Sequence, residues 1–391
     1  MTASLAAAAE DILARAAAAR GGVPGVVAMV IGRDGPIFAG TAGRRALDSD
    51  EPMTTDTVLA IYSCTKAITA TAVMQLVDEG AIRLDEAARR YIPEIGDIPI
   101  LESFDGAGKA RLRAAASDIT IEQLLLHTSG FAYDMFNPAL VRFTAGPDAP
   151  KGRMPALMSV CVAEPGARWE YGVSIDWAGK VVEAVRGAPL DAVMRTHIFE
   201  PLRMDDTGYL LTPSMRARRA GLHQRQADGS LVPLPLTEPP QSPKAQTGGS
   251  GLFSTAADYA KFIRMILRDG AAPDGRPVLE PQTVSLMTSN RLGTLKMRPL
   301  PGAMPALTNP VDLYPETSKS WGYSWMINDQ TTNTGRPAGS VGWAGLPNLY
   351  YWIDRRNGIG GFWGLQILPF VDPASVGAFL EFETAVYAHL G

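Results

Sequence analysis

The chain has 391 residues, 46% of them hydrophobic, and a formal net charge of −4. This length exceeds that of a usual single domain, so we expect two domains or one large domain with an insertion. Nucleic acids and anionic membranes attract clustered positive charge, and the acidic balance therefore argues against both as partners. The two cysteines and four histidines lack the spacings of disulfide frameworks and metal sites, which predicts no metal.

The N-terminal segment predicts an amphipathic surface helix, because charged residues interrupt its alanine run before a signal-peptide core can form. Residues 25–31 and 36–41 have the pattern of two strands joined in a hairpin by a polar turn. From Ser63 the pattern becomes helical, with Gly80 at the stop position. No stretch approaches about 18 uninterrupted apolar residues, so we expect no transmembrane helix and a cytoplasmic protein.

Residues from about 90 to 250 lose strand character and are punctuated by proline and glycine. Within them, helical stretches are predicted at 121–126, 178–185 and 189–198. The segment 212–251 is rich in Pro, Gln and Gly and predicts a long irregular surface connection.

Strand signals return near the C-terminus, and a last helix is predicted from about 373 to 389. The predicted strands are 322–327, 341–344, 349–353 and 360–368. Strands at both ends of the chain around a helical middle predict an α/β domain of residues 1–90 and 252–391. Residues 91–251 would form a mainly helical inserted domain, with the active site in the cleft between the two.

The stretch Ser63-Cys64-Thr65-Lys66 places a hydroxyl and an amine one helical turn apart. A helix N-terminus also stabilises an oxyanion. The chain contains no GxSxG motif, which removes the main support for an α/β-hydrolase nucleophile. A serine that caps a helix beside a solvated lysine has the same spacing, so other motifs must decide. The tetrad resembles the SxxK motif of serine β-lactamases, penicillin-binding proteins and the carboxylesterases that share their fold.

The stretch Trp169-Glu170-Tyr171-Gly172-Val173-Ser174 precedes a predicted helix and resembles the tyrosine motif of class C β-lactamases and family VIII carboxylesterases. The resemblance implies that Tyr171 is the third catalytic group and relays a proton between Ser63 and the leaving group. An aromatic residue that merely caps a helix is the alternative. Class C enzymes have asparagine where this chain has Val173, which argues against recognition of β-lactams.

The stretch Trp343-Ala344-Gly345 lies in a predicted C-terminal strand. Penicillin-recognising enzymes carry Lys-Thr-Gly there, whereas the esterase branch carries Trp-x-Gly, which this chain matches. The resemblance implies an oxyanion hole formed by the backbone amides of Ser63 and Leu346. Trp343 could instead be ordinary sheet core. The residues predicted to bind substrate are Trp343, Gly345, Tyr133, Phe136, Trp177 and Phe253, and the last four of these could equally be core.

These motifs together resemble family VIII carboxylesterases. The resemblance implies an α/β (α+β) fold of the β-lactamase/transpeptidase type, with a central antiparallel sheet flanked by helices and a mainly helical insert. It also implies a serine carboxylesterase that hydrolyses short-to-medium acyl esters through an acyl-enzyme, with Ser63, Lys66 and Tyr171 as catalytic set. No cofactor is expected, and a small-molecule ester is the expected partner.

Several alternatives remain open at the level of sequence. The same fold and catalytic groups serve β-lactam, peptide and linear amide hydrolysis, and also acyl transfer to an alcohol. A catalytically inactive binding protein on this fold is a further alternative, against which the joint presence of Ser63, Lys66 and Tyr171 speaks. The sequence does not determine the oligomeric state.

Overall fold

A computed structural model describes residues 3–19, 21–238 and 246–390 of the chain. Its helices are α1 (Ala3–Ala18), α2 (Thr65–Asp78), α3 (Ile121–Leu125), α4 (Pro138–Thr144), α5 (Arg153–Met158), α6 (Ser174–Arg186), α7 (Leu190–Met194), α8 (Glu200–Leu202), α9 (Pro213–Ala217), α10 (Ala256–Leu267), α11 (Pro281–Met287) and α12 (Pro373–Ala388).

Its strands are β1 (Gly25–Gly32), β2 (Pro36–Gly43), β3 (Val58–Ala60), β4 (Ile100–Phe104), β5 (Ala110–Arg113), β6 (His223–Arg225), β7 (Leu231–Pro233), β8 (Phe253–Thr255), β9 (Lys319–Trp321), β10 (Met326–Asn328), β11 (Val341–Gly345), β12 (Leu349–Asp354), β13 (Ile359–Gly364) and β14 (Ile367–Leu368).

The central sheet has seven strands in the order β2-β1-β13-β12-β11-β10-β9, and every neighbouring pair is antiparallel. Strands from the first 43 residues therefore pair with strands from residue 319 onward. This arrangement confirms the predicted antiparallel sheet assembled from both ends of the chain. The described structure between them is mainly short helices, while the predicted domain boundaries stay a prediction.

Both faces of the inner strands β1, β11, β12 and β13 are covered, and these strands are buried at every position. Tyr350 of β12 stacks on Phe379 of α12, with ring centroids 4.6 Å apart. The next residue, Tyr351, points to the opposite face and meets Tyr259 of α10 at 5.0 Å. Because side chains alternate along a strand, α12 and α10 pack on opposite faces. Helix α1 packs beside α12 and against β1 and β2.

Helix α2 lies between the sheet and the helical region. Its residues 65–76 are buried, and it packs against α6 and α7. A 3₁₀ turn at Tyr62–Cys64 precedes it and packs against β11. The helix therefore begins at Thr65, and the predicted start at Ser63 corresponds to this tighter turn, which is common at helix N-termini. Gly80 has a φ of +70° just past the helix end, as its predicted stop position requires.

Three predictions about strands were wrong. Residues 360–368 do not form one strand, since β13 ends at Gly364 and β14 belongs to a separate sheet with β6 and β7. Residues 322–327 do not form one strand, because the chain reverses after β9 and returns as β10, with Gly322 N donating to Trp325 O at 2.8 Å. The region 90–250 is not free of strands, since it contains the β4–β5 and β6–β7 hairpins. The β5 residues lie largely exposed, so their side chains lack the apolar alternation that signals a strand.

The segment 212–251 contains α9, β6 and β7 instead of being irregular throughout, and β6 pairs with β14. Residues 239–245 of this predicted connection lie outside the described residues. Across the described ranges, no helix is long and apolar enough to cross a membrane. The cytoplasmic location stays a prediction.

Candidate active site

The turn before α2 brings Ser63 and Lys66 together. Lys66 Nζ lies 3.2 Å from Ser63 Oγ, and the lysine side chain is fully buried. The spacing explains this contact, because residues three apart face the same side of a helical turn. Ser63 itself is half-buried and lines a small cavity. The hydroxyl and the amine are thus positioned for proton transfer between them.

Three oxygens surround the Lys66 amine. Besides Ser63 Oγ, Nζ contacts the hydroxyl of Tyr133 at 3.0 Å and donates to Gly249 O at 2.7 Å. The rings of Tyr133 and Tyr171 lie 5.0 and 4.9 Å from Nζ. Burial lowers the pKa of Lys66 to about 8, while the carboxylate of Asp176 opposes this shift. A lysine with this pKa is partly neutral near neutral pH and can serve as a base.

Asp176 was missed by the sequence analysis. Its Oδ1 accepts from Gly249 N at 3.0 Å, so the backbone of a single residue, Gly249, lies between the carboxylate and the Lys66 amine. Its Oδ2 is buried and has no hydrogen-bond partner among the described residues. Burial raises the pKa of Asp176, and Lys66 opposes that shift. An acidic residue in the buried first turn of α6 is the signal that could have identified it.

The Tyr171 hydroxyl contacts both Trp343 and Ser63. The indole Nε1 of Trp343 donates to the Tyr171 hydroxyl at 2.8 Å. Burial raises the pKa of Tyr171, while hydrogen bonds with Ser63 and Trp343 oppose the rise. Since the phenol accepts from Trp343, it still has its own proton to donate, and it lies beside Ser63.

His127 fixes the backbone around Tyr171. Its carbonyl accepts from Glu170 N at 2.8 Å, and its Nδ1 accepts from Gly172 N at 3.3 Å. The imidazole ring also packs on the Tyr171 ring at 4.7 Å. Burial, followed by the charge of Lys66, holds the pKa of His127 well below its usual value. The neutral imidazole is therefore a positioning group for the tyrosine.

Strand β11 approaches the turn at Tyr62–Cys64 very closely. A Cβ at Gly345 would lie 2.6 Å from Ile61 O and 3.3 Å from Cys64 Sγ. Only glycine fits there, because real Cβ contacts are longer. Gly345 and Leu346 consequently line the same cavity as Ser63, which brings both members of the predicted oxyanion hole to one place. Their role as oxyanion donors stays a prediction.

The cavity at Ser63 is narrow, with a volume of about 20 Å³. Of the predicted binding residues, it is lined by Phe136, Trp343 and Gly345, together with Tyr171. The sequence analysis missed further wall residues, which are Met135, Leu300, Ala344 and Phe370. Nothing local in the sequence marks Leu300 and Phe370, because these two residues reach the site only through the fold.

Two predicted binding residues lie elsewhere. Trp177 does not line the Ser63 cavity, since it belongs to α6 and its ring stacks on Phe131 in the core at 5.9 Å. Phe253 lines a separate cavity, whose walls also include Ala60 and Tyr62. Tyr133 contacts Lys66 directly and is thus closer to the chemistry than a wall residue. Within the described ranges, no group of three or more His, Cys, Asp or Glu side chains could hold a metal ion.

Comparison with known proteins gives matches over nearly the whole chain. The family model described as Beta-lactamase matches residues 11–384. Monacolin J acid methylbutanoyltransferase from Aspergillus terreus is 33% identical over 385 residues, covering 94% of this chain and 92% of the relative. Lovastatin esterase from Penicillium rubens is 30% identical over 348 residues, covering 85% of this chain and 86% of the relative.

A solved structure extends the similarity to three dimensions. Unliganded simvastatin synthase from Aspergillus terreus superposes with a TM-score of 0.82 at 30% identity, covering 99% of each chain. The matched proteins thus include an acyltransferase and an esterase on one fold.

Proposed function

The chain belongs to the Beta-lactamase family of serine hydrolases and acyltransferases, and on that premise we propose that it is a serine carboxylesterase acting on neutral esters. The observation that carries this proposal is the 3.2 Å contact between Lys66 Nζ and Ser63 Oγ. It lies in a buried site where the lysine pKa falls to about 8. These are the conditions under which serine becomes a nucleophile without a histidine base.

In the first half-reaction, Ser63 Oγ attacks the ester carbonyl and passes its proton to the Lys66 and Tyr171 pair. The carbonyl oxygen becomes an oxyanion, which the amides of Ser63 and Leu346 would hold. Collapse of this intermediate breaks the ester bond, and the departing alkoxide takes a proton from the same pair. Water then attacks the acyl-Ser63, and its proton follows the reverse path, releasing the acid and free Ser63.

Neutral esters fit the site better than β-lactams do. Trp343 occupies the strand position where penicillin-recognising relatives have lysine, and its indole N–H is engaged by Tyr171. No lysine or arginine is among the residues that line the Ser63 cavity within the described chain. Substrate carboxylates such as those of β-lactams would therefore find no ammonium there. The apolar walls and the small volume favour short acyl chains.

A comparison of ester and β-lactam substrates tests the proposal. One preparation is assayed with p-nitrophenyl esters of increasing acyl length and with the β-lactam nitrocefin. The expected result is turnover of the esters, with kcat/KM highest for short chains, and little or no hydrolysis of nitrocefin. Faster hydrolysis of nitrocefin than of any ester would contradict the proposal.

Acyl transfer to an alcohol is the second candidate. It uses the same acyl-Ser63 and replaces water by a hydroxyl group in the second step. The curated transferase relative, 33% identical to this chain, favours it, because its name describes the transfer of a methylbutanoyl group. The partition of product between free acid and new ester, measured with a competing alcohol, separates the two candidates. Exclusive release of free acid at every alcohol concentration would exclude transfer.

A further inference from the structure

The cavity at Ser63 has little room for an acyl chain. Its volume of about 20 Å³ is the space of about one water molecule. An acyl group that extends beyond its carbonyl carbon must therefore press against the walls of the cavity. The side chains that form these walls consequently decide which acyl chains can be accommodated.

The walls of this cavity fall into two groups. Phe136 and Trp343 pack on the Tyr171 ring, with ring centroids 6.0 and 4.9 Å away, so they enclose the catalytic phenol. The leaving alcohol departs towards Tyr171 and Lys66, which supply its proton, and the acyl chain extends along the other walls. The remaining wall residues with large side chains include Met135, Leu300 and Phe370.

Leu300 belongs to a segment between α11 and β9. We name residues 298–311 the strap; they lie wholly within the described part of the chain and contain neither a helix nor a strand there. At its start, Arg298 pairs with the buried carboxylate of Glu170, which precedes the catalytic tyrosine. At its end, Val311 exchanges two backbone hydrogen bonds of 2.9 and 2.8 Å with Leu300. Both ends of the strap thus fix the position of Leu300, which is 4% exposed.

The strap is also attached to the neighbouring walls of the cavity. Ala303 N donates to Met135 O at 2.9 Å, and Asn309 N donates to Phe370 O at 3.0 Å. These backbone bonds hold Leu300 in one arrangement with the other two side chains. A wall that is fixed in this way resists displacement by a longer acyl chain.

Of these three walls, Leu300 is best suited to limit the length of the acyl chain. The unbranched side chain of Met135 can adopt many rotamers and yield to a ligand. The Phe370 ring stacks on Tyr350 of β12 at 5.8 Å and so belongs to the packing of the central sheet. The branched side chain of Leu300 lacks the freedom of methionine.

We propose that Leu300 sets the length of the acyl chain that the enzyme accepts, by closing the space beyond the carbonyl carbon of the acyl group on Ser63. This inference rests on the proposed acyl-Ser63 chemistry and names the residue that restricts its substrates. Leu300→Ala removes an isopropyl group from the wall, and substrate methylenes can occupy the space that it leaves. Each buried methylene strengthens binding about fourfold.

The p-nitrophenyl esters of acetic and hexanoic acid test the proposal. We expect Leu300→Ala to raise the ratio of kcat/KM for the hexanoate over that for the acetate by about tenfold or more relative to the wild type. Leu300→Val is the milder change, and it should raise the ratio in the same direction by less. A wild-type ratio in both variants would overturn the proposal.

Leu307→Ala is the matched control. Leu307 lies on the same strap, is half-buried, and is not among the described residues that line the Ser63 cavity. This variant makes the same substitution away from the cavity, and the ratio should keep its wild-type value. An equal rise in Leu307→Ala and Leu300→Ala would overturn the proposal, because loosening of the strap would then explain both. Thermal unfolding of each variant checks that the fold is retained.

A second series of esters separates the acyl side from the alcohol side. It keeps the acetyl group and lengthens the alcohol, from ethyl acetate to hexyl acetate. We expect the ratio of kcat/KM for these two esters to be the same in Leu300→Ala and in the wild type. A shift in this series without a shift in the acyl series would place Leu300 at the alcohol and overturn the proposal.

A binding measurement separates this proposal from the proposed function. Calorimetry on Ser63→Ala protein compares the anilides of acetic and hexanoic acid and needs no turnover. A stronger preference for the hexanoyl compound in Ser63→Ala/Leu300→Ala protein supports the role of Leu300, and an unchanged preference overturns it. Absence of ester turnover and of acylation at Ser63 would instead refute the proposed function and leave the calorimetry to decide about Leu300.

Discussion

At the scale of single residues, the account depends on Lys66. A buried ammonium is costly, and here three oxygens and two aromatic rings surround it. Burial brings the pKa of Lys66 to about 8, so the neutral amine that can accept a proton becomes abundant as the pH rises through that value. The carboxylate of Asp176 opposes this shift and keeps the pKa from falling further.

We expect kcat/KM to rise with pH along a limb near 8, the pKa of Lys66. In Asp176→Asn, loss of the negative charge favours the neutral amine, so the limb should move to lower pH. The pH dependence of p-nitrophenyl butyrate hydrolysis measures this. As a control, Asp274→Asn removes an exposed carboxylate and should leave the limb in place. An Asp176→Asn limb that is unmoved, or moved to higher pH, would contradict the assigned role.

The sequence predicts Ser63, Lys66 and Tyr171 as the catalytic set because each belongs to a short motif, and the structure brings the three side chains together. The sequence did not identify the surroundings of the lysine. The Tyr133 hydroxyl is 67 positions from Lys66, and the Gly249 carbonyl is 183 positions away. Contacts of this kind depend on how α2, α6 and the chain before β8 pack, which no local pattern encodes.

At the scale of elements, the site depends on how closely β11 approaches the turn before α2. Gly345 allows this approach, since a side chain there would meet Ile61 O. A second close approach occurs at Gly249, where a Cβ would lie 2.4 Å from Asp176 Oδ2 and 3.0 Å from the Tyr133 hydroxyl. Glycine at these two positions therefore sets the distances between strand, helix and catalytic side chains.

Gly345→Ala should displace β11 from the turn at Tyr62–Cys64 and lower kcat/KM by about a hundredfold, the loss expected for a misplacement of about 1 Å. Gly377→Ala is the control, because Gly377 lies in α12 with nothing within 4 Å of the added Cβ, and its activity should equal that of the wild type. Ester hydrolysis and thermal unfolding are measured for both variants. Wild-type activity in Gly345→Ala would show that the close approach does not matter for the chemistry.

The sequence predicts several helices and strands correctly where their residues are buried in the core. The hairpin of β1 and β2, the strands β11 and β12, and the last helix were all found, because each is a run of mainly apolar residues bounded by turn residues. The exposed β4–β5 hairpin was missed, and the reversal between β9 and β10 was read as one strand. Buried aromatic residues continue through that turn, which hides it.

At the scale of the whole molecule, the C-terminal helix α12 packs on one face of the sheet that is assembled from both chain ends. A buried ion pair also holds this helix, with Arg336 Nη1 3.1 Å from Glu383 Oε1 and the two side chains 2% and 0% exposed. Tyr314 and Thr334 also donate to Glu383 Oε2. Glu383 of α12 thus connects the helix to the chain on both sides of β9 and β10.

Glu383→Gln should lower the free energy of unfolding by about 3 kcal/mol, because it leaves the buried Arg336 without a charged partner. Urea denaturation measures this. Glu381→Gln, on an exposed part of the same helix where Glu381 pairs with Arg15, should change the free energy by less than about 1 kcal/mol. Equal losses of unfolding free energy in the two variants would contradict the conclusion that the buried ion pair stabilises the fold more than the exposed pair does.

The central claim is that Ser63 carries the acyl group. Rapid quenching of the protein with p-nitrophenyl butyrate, followed by peptide mass spectrometry, tests it most directly. The account predicts a butyryl adduct on Ser63 that is absent from Ser63→Ala and strongly reduced in Lys66→Ala. Steady ester turnover without any adduct on Ser63, or with the adduct on another residue such as Cys64, would contradict it.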